Sequence, residues 1–158
     1  MFDVDNLDLL FVATSFLFQV VLIVHFALRR WRFELALHYG WIVYALGALG
    51  AAVSAVLLLG GKPWSLWAGG FIYLIWAMHG YTVEYVQHRP WRDPIRWTIF
   101  GPYVFLYLAA NMFYWFPLAL VSRPLWYVYG LLFIVSTVLN ITSHKRPHAT
   151  SGQIGQTH

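Results

Sequence analysis

Glu84 is the one acidic side chain that falls in an apolar segment of this chain away from the segment's first residue, and His79 and His88 flank it. Four residues separate Glu84 from His88, so a helix puts both on one face. His79 lies five residues before Glu84, about 140° around the same helix. An ionisable group in lipid is costly and is a functional candidate by default.

Three chemistries use such groups. An acid–base enzyme acting on a lipid-soluble substrate needs only Glu84 or His79 placed to transfer a proton. A haem needs an axial histidine, and His79 with His25 is the nearest candidate pair, though at unequal depths and without a diagnostic spacing. A metal would draw on His79, Glu84 and His88 only from different faces or with help from other helices. No H-E-x-x-H motif is present, neither lysine lies inside an apolar segment, and there are no cysteines. An intramembrane Schiff base, disulfides, thiolate catalysis and cysteine metal sites are therefore excluded. The candidate catalytic residues are His79 and Glu84. The candidates for holding a cofactor, haem or quinone, are His25, His79, Trp76 and Asn111, and no metal site is expected.

Each has a plainer reading. His79 can be a histidine satisfied by packing and one hydrogen bond. Glu84 and His88 can form a headgroup-level cluster with Arg89 or Arg92. Asn111 sits among apolar residues and needs a partner on another helix if it does not meet a ligand. The 31 aromatic residues can line a pocket for a flat apolar molecule, with Tyr73, Trp76, Tyr81 and Tyr85 in one segment and Tyr103, Tyr107, Phe113, Tyr114 and Trp115 in the next. Lipid-facing and interfacial rings account for many of them equally well.

Five apolar segments must position these groups: 8–28, 38–60, 66–87, 97–121 and 124–142. Each approaches the ~20 residues that cross a ~30 Å hydrocarbon core. Leu9–Leu28 is apolar around nearly its whole circumference, unlike the striped helix of a soluble bundle. The chain is 60% hydrophobic and 10% charged, which leaves no room for a soluble domain beside the spans. Residues 1–146 are expected to form one five-helix, all-α integral membrane domain, and 147–158 a flexible cytoplasmic tail. The first segment lacks a basic n-region and a small-residue cleavage site, and is read as a retained helix.

Arg29, Arg30 and Arg32 follow the first segment, Arg89, Arg92 and Arg96 the third, and Lys145 and Arg146 the fifth. Only Lys62 and Arg123 lie in the opposite loops. The positive-inside bias thus predicts an outside N-terminus and a cytoplasmic C-terminus in a cell membrane. Under that topology His79 lies ~12 Å from the inner end of its span and Glu84 only ~4–5 Å from it. His25, His38, His79, His88 and His144, with Asn140, then gather towards one leaflet.

Small residues at Gly47, Gly50, Ala51 and Ser54 suit close helix packing, either inside the bundle or at a homo-oligomer seam. Pro117 is expected to free a carbonyl and kink the fourth span. Gly60-Gly61-Lys62-Pro63 reads as a helix stop, and Asp93-Pro94 and Ser122-Arg123-Pro124 as helix starts.

Five spans and nine tryptophans are similar to the tryptophan-rich sensory/translocator family, with local echoes at Gly61-Lys62-Pro63-Trp64, Met78-His79-Gly80-Tyr81 and Leu139-Asn140. The family's proline- and tryptophan-containing loop follows its first span, whereas Lys62-Pro63-Trp64 follows the second here. The family is therefore not assigned and no function is carried over.

The expected function is binding of a hydrophobic small molecule or cofactor, whether haem, quinone or isoprenoid-like, with its polar site in the cytoplasmic half. The alternatives are a membrane-embedded acid–base enzyme and a non-catalytic accessory subunit. Expected partners are membrane lipids, a hydrophobic ligand, and further copies or a larger membrane complex. The net charge of +4 sits where topology puts it and does not signal nucleic acid.

Overall fold

The computed structural model describes residues 5–87 and 95–143. Within them the chain is all-helical. Helix α1 runs Asn6–Trp31, a short α2 Phe33–Tyr39, α3 Trp41–Leu59, α4 Trp64–Tyr81, α5 Trp97–Val121 and α6 Arg123–Ser143. A π-helical turn, Thr82–Val86, continues α4. The five long helices form one bundle. Neighbours around it run α1, α3, α4, α5, α6 and back to α1, with α1 also touching α5.

Local chemistry explains the boundaries. Asp5 caps α1 by accepting from the amides of Leu7 and Asp8, both at 2.9 Å, while Asp8 reaches back to the Asp5 amide. This is a reciprocal cap on a helix start that favours acids, and Arg29 and Arg30 complement the dipole at its other end. Gly61, at φ 73°, makes the left-handed turn that ends α3, and Pro63 blocks continuation before α4. Extended Ser122 separates α5 from α6. Helix α5 passes through both Pro102 and Pro117 without a break. Asp93, Pro94 and the tail 147–158 lie outside the described residues.

One expectation needs correction. The segment between the first two spans is not simply a loop, because Phe33–Tyr39 is helical and runs almost directly into α3. Taken together, Phe33–Leu59 is apolar enough to cross a membrane, as are Asn6–Trp31, Trp97–Val121 and Arg123–Ser143. Helix α4 is not among these four. It is shorter, at 18 residues, and carries Ser65, Gly69, Gly70, His79 and Gly80 among its apolar positions. It is held between α3 and α5.

The small residues of α3 are spent inside the bundle. A Cβ on Gly47 would stand 2.8 Å from the Ala77 Cβ, and one on Gly70 would overlap Ser54 Oγ and the Gly50 carbonyl. A side chain on Gly80 would meet the Tyr44 ring at 2.6 Å. The face that matched an oligomer seam is thus the α3–α4 contact, where missing side chains let backbones approach.

At the far end of α1, Lys62 Nζ bridges Asp5 Oδ2 at 2.9 Å and Asp8 Oδ1 at 2.6 Å, tying the α3–α4 turn to the start of α1. The bond from Lys62 is the main reason that the Asp5 carboxyl is held below its ordinary value of 3.8. Bonds from Asp8 and then Asp5 raise the Lys62 ammonium above its ordinary 10.5. A depressed acid stabilises the fold above its unfolded value and loses that contribution as pH falls through its folded value. A raised base stabilises below its unfolded value and loses that contribution as pH rises through its folded value. Wild type should therefore melt above Lys62→Met by a constant margin from about pH 5 to about pH 10, and the margin should shrink beyond both limits. A margin independent of pH in thermal unfolding would remove the clamp.

Candidate functional site

Two polar features meet at the end of the bundle opposite Lys62. The first is centred on Glu84. The π-helical turn carries one extra residue per loop of backbone, a local distortion that recurs at functional sites. From it Glu84 projects towards two other helices. Its Oε2 accepts a 2.7 Å hydrogen bond from the hydroxyl of Tyr44 on α3, and its Oε1 stands 3.5 Å from Arg29 Nη1 on α1. Arg29 also lies over the Phe33 ring at 6.0 Å. Neither Tyr44 nor Arg29 was among the residues expected to carry chemistry. Nothing local marks them, since Arg29 is 55 positions and Tyr44 40 positions from Glu84. His88, Arg89 and Arg92, the neighbours expected for Glu84, lie outside the described residues.

The second feature is a cleft of ≈ 210 Å³ between α1, α2 and the start of α3. Val21, Val24, Leu28, Ala36 and Ile42 are among its apolar walls, and His25 is the one nitrogen-bearing side chain that lines it. His25 is buried to 7% exposure and stands edge-on to Phe26 at 5.5 Å. No described residue hydrogen-bonds its ring. Gly40 lets this corner close: a Cβ there would come 2.8 Å from Tyr85 Oη and 3.4 Å from His25 Cε1. Tyr85 in turn donates to the Leu37 carbonyl at 3.2 Å, and its ring lies 5.8 Å from that of Tyr44. The cleft and the Glu84 cluster are therefore joined through Tyr85.

The other expected site residues have different neighbours. His79 is partly buried, and its Nε2 lies 3.2 Å from the Ile99 carbonyl at the start of α5. No described contact links it to His25, so the pair suggested for a haem is not brought together. His79 and Glu84, five apart, likewise turn to different helices. His38 is exposed and packs edge-on against Tyr39, and His144 lies outside the described residues. The expected gathering of histidines reduces, among the described residues, to His25 beside the cleft. No group of three metal-ligating side chains occurs among them either.

Trp76 and Asn111 belong to the interior. Trp76 is buried among Tyr44, Tyr73, Tyr103 and Tyr107, with ring centroids 5.2–6.1 Å away. Its indole Nε1 has no hydrogen-bond partner among the described residues. Asn111 donates to the Tyr107 carbonyl at 2.8 Å, and its Oδ1 accepts from Tyr129 on α6 at 3.5 Å. It follows the course in which a buried amide bonds a partner helix. One turn along, Gln19 Nε2 donates to Ser136 Oγ at 2.7 Å, and Tyr107 Oη lies 3.0 Å from the same oxygen. This node joins α1, α5 and α6. The only sign of it in sequence was that Gln19 interrupted an apolar helix. None of Trp76, His79, Glu84 and Asn111 lines the cleft.

No family model matches the chain, and no curated protein or solved structure matches it.

Proposed function

We propose that this protein binds a membrane-dissolved small molecule, quinone or isoprenoid-like, with its polar end at His25 and its tail in the surrounding lipid. The observation that carries the reading is a buried imidazole without a hydrogen-bond partner among the described residues, opening into an apolar cleft. A buried polar group left unpaired is destabilising, and a ligand carbonyl or hydroxyl would satisfy it. The cleft is smaller than the ~300–1,000 Å³ of a site that encloses a whole ligand. It suits a ring or head group whose apolar remainder stays in the bilayer. Haem fits less well, because His79 is engaged on α5.

The protein resides in a cell membrane with its N-terminus outside and the cleft in the cytoplasmic half. Supporting this, eight of the ten basic residues share one side. Lys62, one of the two exceptions, is paired with Asp5 and Asp8. A reporter fused after His158 should read as cytoplasmic and one before Met1 as external. The reverse of both would invert the orientation.

The binding test uses protein purified in mild detergent and a photoreactive short-chain benzoquinone. Labelled peptides should map to α1 and α2–α3, excess unlabelled quinone should compete, and His25→Phe should lose the label while melting as wild type does. Equal labelling of wild type and His25→Phe would overturn the assignment. Absence of labelling, with another chain recovered at fixed stoichiometry, would favour the accessory-subunit reading. The Glu84–Tyr44 bond at a π-helical turn favours acid–base chemistry as the second reading, in which Glu84→Gln would lower turnover more than binding.

A further inference from the structure

We propose that Tyr44 is a redox-active tyrosine that quenches lipid peroxyl radicals, giving up its electron through neighbouring rings and its proton to Glu84. This goes beyond the ligand-binding reading and does not depend on it. A phenol inside a bilayer is hard to oxidise unless its proton has somewhere to go, because a phenol radical cation in lipid is strongly disfavoured. Tyr44 has such an acceptor, since its hydroxyl donates directly to Glu84 Oε2 at 2.7 Å. The hydroxyls of Tyr73, Tyr85, Tyr107 and Tyr129 meet carbonyl, hydroxyl or amide oxygens instead, none of which takes a proton under ordinary conditions.

An electron route is also in place. The Tyr44 ring lies 6.2 Å from Tyr81 and 5.8 Å from Tyr85, and those two stack at 5.3 Å with planes 13° apart. Tyr81 is 45% exposed and so reaches the surface of the helix that faces out of the bundle. On the inner side the Tyr44 ring is 6.1 Å from Trp76. Contacting rings of this kind pass an electron between the buried phenol and an oxidant in the lipid.

The step balances as follows. The Tyr44 O–H bond breaks, its proton forms an O–H bond on the Glu84 carboxylate, and one electron leaves through Tyr81 or Tyr85. A lipid peroxyl radical accepts that electron with one proton from interfacial water and becomes a lipid hydroperoxide, and the hydroxide left behind is neutralised when Glu84 releases its proton to the interface. Tyr44 is oxidised to the neutral phenoxyl radical and the peroxyl is reduced, one radical per chain.

The test uses the full chain in nanodiscs of dilinoleoyl-phosphatidylcholine with a lipid-soluble azo initiator as the peroxyl source. Electron paramagnetic resonance should show a neutral tyrosyl radical, and formation of conjugated dienes should lag relative to empty nanodiscs. Glu84→Gln keeps a hydrogen-bond acceptor but cannot take the proton, so the signal and the lag should be lost. Tyr127→Phe, which removes an exposed tyrosine on α6, should change neither. Replacement of Tyr44 by 3-fluorotyrosine leaves the fold nearly untouched and should add a fluorine splitting to the spectrum. A tyrosyl spectrum without that splitting, or no radical in folded wild type, would overturn the proposal. The quinone label at His25 is read separately, so either idea can fail alone.

Discussion

Gly70→Ala should unfold the protein at a markedly lower temperature, by the equivalent of about 2–3 kcal/mol, because overpacking at this point has no soft neighbour to move. The new methyl would overlap the Gly50 backbone carbonyl as well as Ser54 Oγ. A side-chain end can rotate away, but a carbonyl in the middle of a helix cannot shift without moving the helix. The matched control is Gly101→Ala. Gly101 also lies inside a helix, and a Cβ there would meet no atom of another helix within 4 Å, with Pro102 as its chain neighbour. That change should cost far less than Gly70→Ala, since the backbone entropy that alanine saves is offset by the crowding of its Cβ against Pro102 and no other helix is displaced. Thermal unfolding in detergent compares the two directly. Equal melting of Gly70→Ala and wild type would mean that α3 and α4 do not approach as described.

Glu84→Leu should produce the other large effect, a loss on the order of 3 kcal/mol, because it strands a buried cation. The Arg29 side chain is only 12% exposed, and its described acceptor is Glu84. The substitution also removes the acceptor of the Tyr44 hydroxyl. Adding Arg29→Met to Glu84→Leu should recover much of the loss, since exchanging both members of a buried pair for apolar groups is far milder than removing one. The recovery, read as the coupling in a double-mutant cycle, is the diagnostic quantity. Additive losses would show that Arg29 and Glu84 do not interact.

Much of the fold was legible because apolar length is a local property. The expected fourth and fifth spans, 97–121 and 124–142, match Trp97–Val121 and Arg123–Ser143 to within a residue, where serine, arginine and proline punctuate the chain. The first span extends to Asn6 because Asp5 and Asp8 cap it mutually, a signal that lay just outside the apolar run. The separate helix Phe33–Tyr39 was missed because charged residues around Arg32 look like a loop at the resolution of hydropathy. The site was less legible. Glu84 and His25 stood out as ionisable groups in apolar helices, but Arg29, Tyr44 and Tyr85 gain their meaning only from contacts between helices. The π-helical turn compounds this. An extra residue rotates everything after it, so wheel positions counted at 3.6 residues per turn lose their phase at Thr82. His79 shows the opposite limit, where an embedded histidine that invited a catalytic role has a backbone carbonyl as its partner.

The sandwiching of α4 has a bearing on how the chain enters the bilayer during synthesis. A segment rich in glycine, with a histidine and several amphipathic rings, has a weak tendency to leave the translocation channel for lipid unaided. Its strongest packing partner, α3, is made immediately before it, and the Gly60-Gly61-Lys62-Pro63 turn between them is short. The two helices are therefore expected to partition as a hairpin, with the apolar first arm carrying the second. Helix α5 covers the remaining side of α4 when it emerges. Lengthening the turn should uncouple the arms, and the nascent chain would then fail at α4 while α1 and α3 still insert.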